Sequence, residues 1–173
     1  EFFANALENI VNSINEFPQI NHFSFMSVDQ NNKPKSFIKT SPLVGNYNIV
    51  LGIDRLVRGE FVPVLARSII EDGFRFPEEV NGFEYISWLD LAKKEKSLYI
   101  NKVVRKYYVD NVSFTRPKKI SLNHYINSLK GVTIILNNHG DTMKKVAPKK
   151  YLLYLLRKQY LEIILKKTSK NTM

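Results

Sequence analysis

Two pairs of adjacent acids, Glu71-Asp72 and Glu78-Glu79, border the loop GFRFPEEVNGF over 73–83. Carboxylates gathered around a loop are what a metal-dependent nuclease needs to hold a divalent cation against a phosphate. Adjacent acids in an extended chain diverge to opposite faces, however, and these stand at no nuclease spacing, which favours a solvated loop edge. The three histidines, His22, His124 and His139, are not at ligand spacing for a metal site. His139-Gly140-Asp141 suggests a catalytic His–Asp pair, but NNHGD reads as a turn in which glycine supplies a positive φ. There is no GxxxxGK[ST] or GxGxxG phosphate cradle and no GxSxG elbow. There is no cysteine, which excludes disulfides, thiolate zinc sites, cysteine-bound iron–sulfur clusters and cysteine nucleophiles. No catalytic residue, metal ligand or cofactor is assigned, and the sequence leans away from an enzyme.

Cations are the more informative residue type. Arg105-Lys106-Tyr107-Tyr108 and Phe114-Thr115-Arg116-Pro117-Lys118-Lys119 interleave positive charge with aromatic rings. Cations neutralise phosphates and rings stack on exposed bases, so the mixture suits single-stranded nucleic acid. The other reading makes Tyr107 and Phe114 core residues and the cations a wet face. Lys144 and Lys145 are read as preceding the last helix, and Lys149 and Lys150 as occupying its first turn. The positive end of the helix dipole lies there and resists them, so a nearby anion would explain their placement. The candidate nucleic-acid or anion-binding set is therefore Arg105, Lys106, Tyr107, Arg116, Lys118, Lys119, Lys144, Lys145, Lys149 and Lys150.

Charge is split along the chain. Residues 1–90 carry 7 Lys and Arg against 12 Asp and Glu, a net of −5, whereas residues 91–173 carry 19 against 4, a net of +15. Such asymmetry points to a partner-binding basic half. That half meets either a polyanion or the acidic half, within the fold or on a neighbouring copy.

The elements that must position these groups follow from periodicity. Phe3, Leu7, Ile10, Ile14 and Phe17 give an amphipathic helix over 2–17, ended by Pro18. Strands are expected at His22–Asp29, Ser36–Thr40 and Tyr47–Val57, with a turn over 29–35. Phe61–Ile70 and Leu98–Val109 fit either strand or helix. Ser121–Leu129 reads as a short helix closed by Gly131, Val132–Asn137 as a buried strand and Asn138–Asp141 as a turn. Pro148 opens the last helix, 148–167, and 168–173 is a frayed tail. That helix is apolar on more than one stripe and carries a net +5, so it packs deep in its own fold or against a neighbour; a basic amphipathic helix lying on a membrane surface is the third reading, disfavoured because polar residues break both faces. The total is an α+β domain with a small mixed or antiparallel sheet. An N-terminal helix and a long C-terminal helix pack on it. The 173 residues are read as a single domain.

The first helix, FPQINHFSF and a strand ending LGID resemble the opening of small phage tail-completion proteins. The likeness stops after Asp54 and covers no functional residue. No stretch is apolar for a membrane-spanning length: the longest uncharged run, Thr40–Ile53, has 14 residues, against roughly 20 needed. The opening EFFANALENI has no basic region and no cleavage site, so no signal peptide is expected in it. These features together predict a non-enzymatic structural module of a larger particle, of virion or ribonucleoprotein type. Its basic half would contact other subunits, nucleic acid or an acidic neighbour. The alternatives are a free-standing nucleic-acid-binding protein and a nucleic-acid-processing enzyme using Glu71, Asp72, Glu78 or Glu79.

Overall fold

The computed structural model describes residues 1–52, 55–108 and 121–170. The chain forms two compact units, Glu1–Arg75 with Trp88–Asn111, and Phe76–Ser87 with Val112–Met173. The architecture is α+β: an N-terminal helix, a small mixed sheet and long C-terminal helices.

In the first unit α1 (Ala6–Glu16) precedes β1 (His22–Asp29). The strand lies inside a four-stranded sheet and is buried on both faces. It runs parallel to β6 (Ser97–Tyr107) and antiparallel to β5 (Phe61–Leu65), while β3 (Leu43–Gly45) is antiparallel to the far side of β6. Phe23 and Phe25 pack with Val62, Leu98, Ile100 and Val104 on one face, where Ala6 and Ile10 of α1 and Phe17 just after it join them. Met26 packs with Ile38, Ile49 and Tyr99. Register shifts at Phe25/Met26 and Met26/Ser27 mark an irregularity in the β1–β6 ladder. The segment after β1 turns as expected: the Asp29 carboxylate accepts from the backbone N–H of Asn31 and of Lys33.

Ser36–Ile38 is a strand, β2, as expected from sequence, and it pairs with β4 (Val57–Gly59) in a separate two-stranded sheet. The expected strand Tyr47–Val57 is a misreading. Asn46 caps a short helix, α2 (Tyr47–Val50), by accepting from the N–H of Asn48 and of Ile49. Ile49 and Leu51 are both buried, so the alternation was real, but it belongs to a cap and a helical turn. The ambiguous stretch 61–70 resolves into β5 and then α3 (Arg67–Glu71). Pro63 is accommodated because β5 is an edge strand. The second ambiguity, 98–109, resolves as strand β6 as far as Tyr107; Val109 lies outside the described residues.

The second unit is dominated by α5 (Leu122–Val146) and α6 (Pro148–Lys170), packed against each other. The reading of 121–141 as helix, strand and turn is corrected to one helix of 25 residues. Ser121 caps it by accepting from His124 N–H. Ser128, Val132, Ile135, His139 and Met143 recur at three- and four-residue steps and are all buried. The two glycines that looked like breakers are packing contacts. A methyl at Gly131 would strike the Phe83 ring, and one at Gly140 would touch Tyr151 Cε2 at 3.5 Å. The boundary between the units falls within α4 (Tyr85–Lys94). No described helix is long and apolar enough to cross a membrane.

Candidate functional site

The predicted cations fall into two groups, one in each unit. At the end of β6, Arg105 lies over the Tyr107 ring at 4.4 Å and over the Phe2 ring at 5.8 Å, and Lys106 Nζ lies 5.8 Å from the Phe3 ring centroid. The chain start holds this arrangement by pairing alongside β6: Phe3 N–H donates to Val104 O at 3.1 Å and Lys106 N–H to Glu1 O at 2.8 Å. Tyr108 donates its hydroxyl to the Glu1 carboxylate at 2.7 Å. That bond holds the Glu1 carboxyl below, and the Tyr108 hydroxyl above, its ordinary pKa. One face each of Phe2, Phe3 and Tyr107 thus already carries an internal cation, which competes with a base for that face. Arg116, Lys118 and Lys119, with Phe114, lie outside the described residues.

The second group sits at the joint of the helical hairpin. Lys144 and Lys145 do not precede the last helix as free cations; they form the last turn of α5, where the dipole favours them. Lys149 and Lys150 occupy the first turn of α6. Lys150 is half-buried and donates to the Tyr85 hydroxyl at 3.0 Å while lying 5.1 Å over that ring; burial pushes its pKa down. One residue, Ala147, separates the negative end of α5 from the positive end of α6. The expected opposition between four lysines and one helix dipole therefore reduces to two, the exposed Lys149, and Lys150, the latter held by the Tyr85 hydroxyl.

A cavity of about 320 Å³ lies in the second unit, bordered by Asn81, Tyr85, His124, Asn127, Tyr154 and Arg157. Several of its polar groups are committed to the fold. Asn81 N–H donates to Asn127 Oδ1 at 2.9 Å and Asn127 Nδ2 donates back to Asn81 O at 2.8 Å. The acid pairs belong to different units, Glu71-Asp72 to the first and Glu78-Glu79 to the second. Glu71 pairs with Arg67 at 2.7 Å on an exposed helical turn, and Asp72, Glu78 and Glu79 are exposed. No group of three His, Cys, Asp or Glu side chains assembles among the described residues.

The surface that stands out is apolar. On α6, Leu152, Leu153, Leu156, Tyr160 and Ile163 are between 52% and 65% exposed. Leu153, Leu156, Tyr160 and Ile163 follow steps of three, four and three residues, the spacing of a helix–helix seam. Lys149 and Lys167, four residues before and after this seam, extend its line. Arg157, four residues beyond Leu153, and Lys166, three beyond Ile163, flank it. The stripe is thus apolar in the middle and basic around its rim. The apolar excess of this helix was readable in the sequence, but not which side α5 would leave uncovered.

Comparison with protein-family models, curated proteins and solved structures returned no match to this chain.

Proposed function

We propose that this chain is a non-enzymatic assembly module, a subunit of a larger particle that docks on an acidic protein neighbour through α6. The observation that carries this reading is the stripe of five large apolar side chains, each more than half exposed, within a basic rim. Contiguous exposed apolar surface with a polar rim is the signature of a protein–protein contact. A phosphate backbone offers such leucines nothing, and near β6 one face each of Phe2, Phe3 and Tyr107 carries one of the protein's own cations. The net charge of +15 over residues 91–173 favours a second reading, free-standing nucleic-acid binding.

Sedimentation of the nuclease-treated protein over a range of concentrations separates the two. The assembly reading expects association that rises with concentration and is lost in Leu153→Asp with Leu156→Asp, at an unchanged melting temperature. A protein that stays monomeric yet binds a single-stranded oligonucleotide, with log K falling by about 0.7 per phosphate contact per decade of salt, would overturn it.

A further inference from the structure

We propose that the acidic neighbour of α6 is a second copy of this chain, seated through the exposed apolar face of α1, so that copies join head to tail. This rests on the assembly reading and names its partner. On α1, Leu7, Val11 and Ile14 are 72%, 44% and 39% exposed. They stand at steps of four and three residues, which places them on one face. The adjoining side of the same apolar stripe is committed to the core through Ala6, Ile10 and, just past the helix end, Phe17. α1 therefore has one broad apolar face, and its own unit leaves the Leu7, Val11 and Ile14 side of it exposed.

Charge selects the match. Residues 1–32 carry Glu1, Glu8, Glu16 and Asp29 and no Lys or Arg. Glu8, three residues before Val11, borders the α1 stripe. The α6 stripe is bordered by Arg157 and Lys166 and ended by Lys149 and Lys167. Two α6 stripes facing each other would bring these cations together, and like charges across an interface act against pairing. A stripe bordered by Glu8, in a segment that carries no Lys or Arg, complements the base-rimmed one in both chemistry and sign.

The lengths also agree. At 1.5 Å per residue, Leu7 to Ile14 spans about 10 Å and Leu152 to Ile163 about 16 Å, so the α1 stripe fits within that of α6. An interface made from two different patches leaves one of each free at the ends, so it grows into a ring or a filament rather than stopping at a two-fold dimer.

The test uses two full-length variants, each with one stripe blocked: Leu7→Asp with Val11→Asp on α1, and Leu153→Asp with Leu156→Asp on α6. Light scattering should find each variant monomeric alone and the mixture forming a 1:1 complex, because each supplies the stripe that the other lacks. If the α1 variant assembles like the unaltered protein, α6 has another partner; the proposal fails and the assembly reading survives. Two monomeric variants that stay apart on mixing overturn the proposal as well. An unaltered protein that is monomeric at every concentration removes both. Should a blocked variant misfold, charge reversal decides. Glu8→Lys alone should weaken association roughly tenfold. Mixed with a protein carrying Arg157→Glu and Lys166→Glu, it should regain it in the mixed pair; no recovery contradicts the proposal.

Discussion

His22 is buried on β1, with its ring stacked on Trp88 at a centroid distance of 5.4 Å. Ser97 Oγ lies 2.7 Å from Nδ1 and Ser24 Oγ 3.4 Å from Nε2. Burial pushes its pKa down to about 4 from 6.5. Above pH 6.5 the ring is neutral in the folded and the unfolded chain. As pH falls below 6.5 the unfolded chain takes a proton that the folded one refuses until about pH 4, so stability drops through that window. The loss attributable to this group is on the order of 3 kcal/mol. Urea unfolding across pH should show it, and His22→Asn should flatten that part of the profile whatever it does to stability at neutral pH. An identical slope in the variant would assign the pH dependence to other groups. Little of this was legible in the sequence, because the partner Ser97 lies 75 residues away. The Asp29 turn was legible, since its carboxylate bonds lie within four residues. The lysines at 144 and 145 were misjudged for a related reason: their relation to a helix dipole depends on which helix they belong to.

At the scale of elements, the strands and helices with a single strong period were readable: β1 stands where the pattern put it, α1 begins four residues late because Phe2 and Phe3 pair alongside β6 instead, and α6 continues through Lys170, into the stretch expected to fray. α5 was not, because Gly131 and NNHGD are local breakers that packing overrides. The two glycines give opposite expectations. Gly140→Ala adds a methyl in ordinary contact with Tyr151 and removes a helix-interior glycine. It should stabilise the protein by about 0.5–1 kcal/mol. Gly131→Ala drives a methyl into the Phe83 ring and should destabilise by about 1–3 kcal/mol as the ring is displaced. Thermal unfolding of the two variants reads both signs. Destabilisation by Gly140→Ala would restore the turn that the sequence suggested and contradict the continuous helix.

For the whole molecule, the acidic first half and basic second half are the plainest features of the sequence, and they acquire a physical meaning through α1 and α6. Neither helix face is explained by the packing within its own unit. The apolar excess of the last helix predicted burial on two sides, and within this chain α5 accounts for one. The second unit is also discontinuous in sequence: Phe83 packs on Gly131 and Tyr85 receives Lys150 from segments more than 45 residues away. No local pattern could foretell which stripe stays open. The central claim is that the α6 stripe is covered by protein when the chain assembles. Hydroxyl-radical footprinting at rising protein concentration reads that cover directly, side chain by side chain. Oxidation of Leu153, Leu156, Tyr160 and Ile163 should fall together as association proceeds, while that of exposed Phe37 and Phe76 stays level. Association that leaves the four α6 side chains as reactive as in the monomer would contradict the account.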